Sequence, residues 1–359
     1  MAVEEPSITE NLRLSRTLIE WYKRYKRDLP WRNTKDPYLI WLSEVILQQT
    51  RVGQGRAYYE RFALRFPDIV SLAEAGEDEV LKLWQGLGYY SRARNLHFAA
   101  QTVVEKYGGI FPSRYEDILS LKGVGEYTAA AIASFAFDEP YAVVDGNVFR
   151  VLSRIYSVDE PIDTGKGKKL FNEIASTEMD RQQAALHNQA IMEFGALQCV
   201  PVSPDCERCP ATDFCLAYSK NEVADYPVKH GKTKVRNRYF YYFDIRQGVH
   251  TYIAKREQKD IWENLYEYPL TETATQMDDG EIISPGFLRK ALNGIFPNKV
   301  TIVCRIKHVL SHQVIYATFI QVDVGEKCDV GYKKIEVKDL GDYPVSRLMD
   351  KYIIFTCGI

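Results

Sequence analysis

The chain has 359 residues, enough for two or three domains of about 150 residues each. With 46% apolar and 26% charged residues, it is not a wholly disordered, collagenous or coiled-coil protein, and no 18-residue apolar run offers a membrane span. A formal charge of −2 argues against a protein that coats nucleic acid by bulk charge.

The first 220 residues read as helical. Ser7 and Glu10 form a capping box ahead of Leu12, Leu18, Ile19 and Tyr22. Asp36 with Pro37 opens a helix through Trp41, Val45 and Leu47. Further helices are predicted over 78–84, over 91–106 with Gly108-Gly109 as the stop, and over 127–137, 147–156, 165–178 and 181–197. No alternating strand is expected in this part. Residues 229–238 hold Lys229, Lys232, Lys234, Arg236 and Arg238 and no acid, which reads as an exposed connector. Strands follow over Tyr239 to Arg246 and Val249 to Arg256, with a turn at Gln247-Gly248. A helix is predicted around Phe287 to Ile295, then strands over Val300 to Lys307 and Gln313 to Val324. The expected organisation is a helical domain over 1–220, a connector over 221–237 and an α+β domain over 238–359.

Met1 to Glu10 carry three glutamates and no apolar segment of signal-peptide type, so no targeting segment and a cytoplasmic, reducing setting are expected. Seven cysteines is an odd number and argues against a disulfide framework. Four of them, Cys199, Cys206, Cys209 and Cys215, fall within 17 residues with the spacing C-x6-C-x2-C-x5-C. Four thiolates this close suit one metal ion or a cubane cluster. A zinc ribbon normally shows two C-x2-C knuckles and this chain has one, so iron–sulfur fits better. Cys304, Cys328 and Cys357 are scattered and read as core residues.

Gly123 and Gly125 flank one apolar residue just before a predicted helix, a turn whose backbone N–H groups can face an anion. Alone this is a weak signal. Asp145 stands about twenty residues on, between Val144 and Gly146, where an isolated Asp is more often an ordinary N-cap. The ordered set of hairpin, Asp and four cysteines resembles the helix-hairpin-helix glycosylases of the endonuclease-III type, whose catalytic domain closes in a [4Fe–4S] loop. Lyase members of that superfamily carry a nucleophilic Lys two residues after the second Gly. Tyr127 occupies that position here, which implies a monofunctional glycosylase.

Three further segments resemble the A/G-specific adenine DNA glycosylases, the MutY family: Leu29-Pro30-Trp31-Arg32 with Trp41 to Thr50; Gly86 to Arg92; and Asn188-Gln189-Ala190 with Met192-Glu193. The resemblance covers nearly all of 20–220. Cleaving an N-glycosidic bond requires a protonated leaving group and a stabilised positive sugar, work for two carboxylates in unlike environments. Glu44 lies on an apolar helix and is expected to stay protonated by burial; Asp145, at a helix N-terminus, is expected to stay ionised. The resemblance makes Glu44 the general acid at adenine N7 and Asp145 the stabiliser of the sugar, with Tyr127 and Asn147 positioning it. It places Trp31, Arg32, Leu47, Gln189 and Met192 around the adenine. It puts Gln49 and Thr50 in the minor groove, Tyr89 beside the opposite base, Leu87 among the DNA contacts, and Gly123 and Gly125 against a phosphate. Main-chain carbonyls of Leu119, Leu121 and Val124 would hold a monovalent or calcium cation.

The C-terminal part resembles the family's Nudix-like domain, through Trp262 to Pro269 and Ser311-His312. The family usually shows Phe-Ser-His, and Leu310 replaces the Phe. The segment Phe287 to Gly294 has no acid to hold Mg²⁺ phosphates, so no pyrophosphatase activity is expected. The implied partner is double-stranded DNA with adenine opposite 8-oxoguanine or guanine, bound by a monomer near the nucleoid. Residues 1–220 carry 26 basic and 30 acidic side chains. Phosphate contacts are therefore expected from placement: the Lys23 to Arg32 cluster, Arg92, Arg94, the hairpin amides and the connector.

Overall fold

A computed structural model of the chain describes residues 12–231, 235–325 and 331–358. Ser7, Glu10, Lys232, Lys234 and Cys328 lie outside the described residues. Among the described residues no helix is long and apolar enough to cross a membrane. The chain forms two compact units, one from residues up to 73 with 98–231, the other from 74–97 with residues from 232 on.

Among the described residues, twelve α-helices run up to residue 220: α1 (Arg13–Tyr25), α2 (Pro37–Leu47), α3 (Val52–Arg65), α4 (Ile69–Glu74), α5 (Glu77–Trp84), α6 (Ser91–Tyr107), α7 (Tyr115–Leu119), α8 (Glu126–Phe137), α9 (Gly146–Tyr156), α10 (Gly165–Glu178), α11 (Ala184–Leu197) and α12 (Leu216–Ser219). The side chain of Asp36 caps α2 by accepting from the backbone N–H groups of Tyr38 and Leu39, as its position before Pro37 predicts. Gly108 and Gly109, at φ 63° and 81°, end α6 in a conformation that glycine adopts without strain. Helices α3, α4, α7 and α12 are not among the sequence expectations, and α3, α7 and α12 have no side-chain cap to mark their start. Leu14, Leu18 and Trp21 of α1 pack with Val148 and Val151 of α9, Phe171 of α10 and Ile191 and Phe194 of α11 in a core of the first unit.

The described residues of the second unit hold seven strands: β1 (Arg236–Gln247), β2 (His250–Lys255), β3 (Tyr266–Glu267), β4 (Leu270–Thr273), β5 (Lys299–Val309), β6 (Gln313–Asp323) and β7 (Lys333–Glu336). The sheet order is β3-β2-β1-β6-β5, with β4 also on β1 and β7 on β2. β1 and β6 run parallel from Arg236 opposite Gln313 to Arg246 opposite Asp323, whereas β5 and β6 are antiparallel. Both faces are covered. Phe240 and Tyr242 of β1 pack with Leu348, Met349 and Tyr352 of helix α15, while Tyr241, Phe243 and Ile245 pack with Ile282 of α13 and Leu288 of α14. These helices span Asp279–Ile282 (α13), Pro285–Ala291 (α14) and Arg347–Cys357 (α15). Cys304 and Cys357 lie partly buried at the core cluster between the sheet and α15.

Two sequence expectations need correction. Residues 74–97 belong with the second unit, although the sequence placed them in a continuous 1–220 domain. Polar tethers hold them there: Asp78 pairs with Lys255 at 2.7 Å, Arg94 with Glu263 at 2.6 Å, and the Tyr90 hydroxyl donates to the Val345 carbonyl at 3.1 Å. The connector also ends earlier than its charge suggests. Arg236 already starts β1, and Arg238 is buried at 6% exposure between Asp260 and Glu272, at 2.7 and 2.6 Å.

Candidate active site

Helix α2 carries Glu44 into the protein, where it is 7% exposed. Tyr127, in the first turn of α8, donates its hydroxyl to Glu44 Oε2 at 2.7 Å. Burial, opposed by that bond and by Arg32 and aided by Asp145, pushes the Glu44 carboxyl up to about 7. The Tyr127 hydroxyl is pushed well up, first by burial and then by the two carboxyls.

Asp145 is the N-cap of α9. Its Oδ1 accepts from the backbone N–H groups of Asn147 and Val148, both at 2.8 Å, and its Oδ2 from Asn147 Nδ2 at 2.8 Å. Burial raises its pKa, and those three bonds and Arg150 work against the rise without cancelling it. Asp145 thus occupies the N-cap position that the sequence offers it, and that position is compatible with a second role for its carboxylate. Upstream, Asn188 of α11 fixes the approach to Asp145: it accepts from Val143 N–H at 3.1 Å and donates to Ser134 Oγ and the Tyr141 carbonyl.

Glu44, Asp145, Tyr127 and Asn147 border one cavity of about 380 Å³ in the first unit, together with Trp31, Arg32, Leu47, Gln49, Thr50, Gln189 and Met192. All eleven were singled out in the sequence. Arg27, Gln48, Phe135 and Glu193 line it too and were not among those candidates. Tyr22, also missed, donates to Gln189 Oε1 at 2.8 Å, which leaves the Gln189 amide group as the donor end. Arg27 and Arg32 both bond to Glu193, and Arg94 to Glu263, so these three are paired within the protein and are not the free phosphate contacts that were expected.

Gly123 has φ 81°, a left-handed value that a side chain would strain, whereas Gly125 caps α8 at φ −98°. The hairpin thus requires glycine at the first position for its backbone. The Leu121 carbonyl accepts from Val124 N–H at 3.1 Å, closing this turn. Gln49 and Tyr89 are both left-handed, at φ 57° and 47°, a strain of about 1–2 kcal/mol each of the kind found at functional positions.

In the second unit a cavity of about 450 Å³ is bordered by Leu87, Tyr89, Trp262, Leu310, Ser311 and His312. The Tyr89 and Ser311 hydroxyls lie 2.6 Å apart, joining residues 222 positions distant in sequence. Leu310 packs against the core cluster between the sheet and α15.

Cys199, Cys206, Cys209 and Cys215 border one small cavity with Arg154. Burial raises the thiols of Cys206, Cys215 and Cys209, the last to about 11, and the neighbouring cysteines add to this. Arg154, 2% exposed, directs Nη1 to Cys199 Sγ at 3.4 Å and to the Val200 carbonyl at 2.8 Å. Four thiols beside a buried cation suit an anionic cluster of soft metal ions. Among the described residues no three His, Cys, Asp or Glu side chains converge on a single-ion site.

A family model described as HhH-GPD superfamily base excision DNA repair protein matches residues 42–176, and one described as NUDIX domain matches residues 241–354. An adenine DNA glycosylase of Buchnera aphidicola subsp. Baizongia pistaciae is 35% identical over 302 residues, 84% of this chain and 83% of that protein. The adenine DNA glycosylase of Mus musculus is 45% identical over 213 residues, 56% of this chain and 41% of that protein. A solved thermostable thymine-DNA glycosylase is 30% identical with a TM-score of 0.55, and the match covers 60% of this chain and all of that one. The helical and Nudix parts, joined in one chain that aligns with such a relative over most of both lengths, place the chain in the adenine DNA glycosylase family.

Proposed function

We propose that the chain removes adenine from DNA where it stands opposite 8-oxoguanine or guanine, by hydrolysis of the N-glycosidic bond. The observation that carries this reading is one cavity holding two carboxyls in unlike settings. Glu44 is buried with its pKa raised to about 7, and Asp145 accepts three hydrogen bonds at a helix N-terminus. A carboxyl poised near neutral pH can hold a proton and deliver it to adenine N7. Asp145 then faces the positive charge that develops on the sugar, as one carboxylate does in O-glycoside cleavage. Asn147 and Tyr127 keep the two carboxyls apart in role: Asn147 bonds to Asp145, Tyr127 to Glu44. Water completes the reaction, because Tyr127 offers no amine for a Schiff base.

The adenine must leave the duplex to reach such a cavity. Gln49 and Thr50 are assigned to the strand beside it. Tyr89, Ser311 and His312, which border the cavity of the second unit, are assigned to the opposite 8-oxoguanine. Cys199, Cys206, Cys209 and Cys215 would hold a [4Fe–4S] cluster, which when bound cross-links the 199–215 segment. Arg154 and Arg150 anchor that segment from α9, Arg150 Nε donating to the Cys199 carbonyl at 2.8 Å.

The test is single-turnover base release from duplexes with adenine opposite 8-oxoguanine, guanine or thymine, each analysed with and without alkali. Free adenine from the first two, with strand breaks only after alkali, is the expected result. Breaks without alkali, or no release of adenine, would sink the proposal.

A further inference from the structure

Glu193 borders the same cavity as Glu44 and has no part in the chemistry above. It lies on α11 with 0% exposure, and its two oxygens take four hydrogen bonds from two arginines. Oε1 accepts from the backbone N–H and Nε of Arg27, at 2.9 and 2.8 Å. Oε2 accepts from Arg27 Nη2 at 2.5 Å and Arg32 Nη2 at 2.7 Å. A carboxylate is rarely buried so completely, and here it is charge-paired on both oxygens. Burial alone would raise its pKa; the bonds from Arg27 and Arg32 reverse that and hold it at about 2.

The charged and titratable groups around Glu44 come from several elements. Tyr127 faces it from α8 and Asp145 from the N-cap of α9. Arg32 faces it from the Pro30–Arg32 turn, and Arg27 and Glu193 border the same cavity. Two of these are cations. The guanidinium of Arg32 favours the ionised form of Glu44, and Glu193 pairs with both arginines. We propose that Glu193 is a positioning residue for the general acid: its carboxylate ties Arg27 and Arg32 together and offsets one of their two charges, so that Glu44 keeps its proton at neutral pH. The effect on the rate rests on the proposed function, whereas the charge balance is a property of the free protein. The two can therefore be tested apart.

The experiment is a carboxyl-carbon NMR titration of the full chain labelled at glutamate, with the Glu44 signal assigned by its loss in E44Q. In the unaltered protein Glu44 titrates near neutral pH. In E193Q the midpoint falls by about one pH unit, the scale of one uncompensated charge across a cavity of this size. E193D, which keeps the charge, leaves the midpoint in place, and E193Q combined with R32Q restores it. A Glu44 midpoint that E193Q does not move overturns the proposal. Should E193Q fail to fold, R27Q reads the same balance from the other side: it raises the midpoint, and an unmoved midpoint again overturns the proposal. Adenine release is followed in the same variants, and its alkaline limb tracks the midpoint. If the midpoints move as expected but even the unaltered protein releases no adenine, the charge balance stands and the glycosylase reading falls.

Discussion

Gly195→Ala is the most stringent test of how α11 and α9 together set the geometry of the proposed catalytic residues Asn147 and Asp145. An added Cβ at Gly195 would lie 2.6 Å from Asn147 Cβ, 3.0 Å from the Asn147 carbonyl oxygen and 3.1 Å from its carbon. Carbon atoms rest about 3.5–4.0 Å apart, so the two helices must part by about 1 Å. No rotamer can relieve this, because the obstacle is the backbone and Cβ of Asn147. The same residue bonds to Asp145 through its N–H and Nδ2, and the Gly195 carbonyl accepts from Arg150 Nη2 at 2.6 Å. Overpacking costs about 1–3 kcal/mol, against a gain of about 1 kcal/mol from the better helix propensity of Ala. Stability can thus come out near neutral, and the rate is the discriminating readout. A 1 Å displacement of a catalytic group costs on the order of 10²-fold. Single-turnover adenine release with enzyme in excess should slow by about that factor, with calorimetry confirming a folded protein. A rate equal to that of the unaltered protein would refute the argument that this contact fixes Asn147 and Asp145.

Five other outcomes are expected. Because the Glu44 carboxyl is raised to about 7, its protonated form persists to that pH; adenine release should fall as pH rises through about 7, and a rate that is flat from pH 6 to 9 would refute the assignment. The same raised value contributes stability that is complete below the ordinary carboxyl value of 4.5 and is lost as pH rises through about 7. Arg238→Met leaves Asp260 and Glu272 without their shared partner and should cost about 2–3 kcal/mol in urea unfolding, a figure lowered because both acids are one-third exposed. Cys209→Ser should lose iron and its visible absorbance and loosen the 199–215 segment to proteolysis; full iron content would refute the ligand set. DNA affinity should fall with a log–log salt slope of about −4.5, the value for about five phosphates neutralised by side chains such as Lys23, Arg24 and Lys26, and Arg27→Gln should leave the slope unchanged.

The helical half was legible wherever the local signal was complete. Asp36-Pro37 and Gly108-Gly109 specify the ends of α2 and α6 without help from distant residues. The sheet was legible only as strands. Its central pairing, β1 parallel to β6, joins segments some seventy residues apart, and nothing local encodes it. β1 also hid its pattern. Alternate residues meet α15 on one face and α13 and α14 on the other, so the strand reads as a continuous apolar run. The two-residue β3 and the short β4 and β7 carry too few residues to show any period.

The cavity around Glu44 was legible for a different reason. Its lining comes from short segments whose chemistry is unusual in itself, such as a Glu within an apolar helix or an Asp at a glycine-flanked cap. What stayed hidden was the pairing of charges. Arg27 and Arg32 looked like free phosphate contacts, because Glu193 lies more than 160 positions away and reads as an ordinary helix acid. Arg94 and Glu263 repeat the pattern across 169 positions. A net charge cannot separate arginines consumed inside the protein from those left for DNA. The distinction matters, because each pairing lowers the salt dependence of binding by about one unit of slope while adding order within the protein. A chain that is net acidic over residues 1–220 and spends several of its arginines internally must bind DNA through few phosphates. Under the proposed function its grip would come from groups whose position is fixed in advance, the hairpin amides and the strained Gln49 and Tyr89 among them.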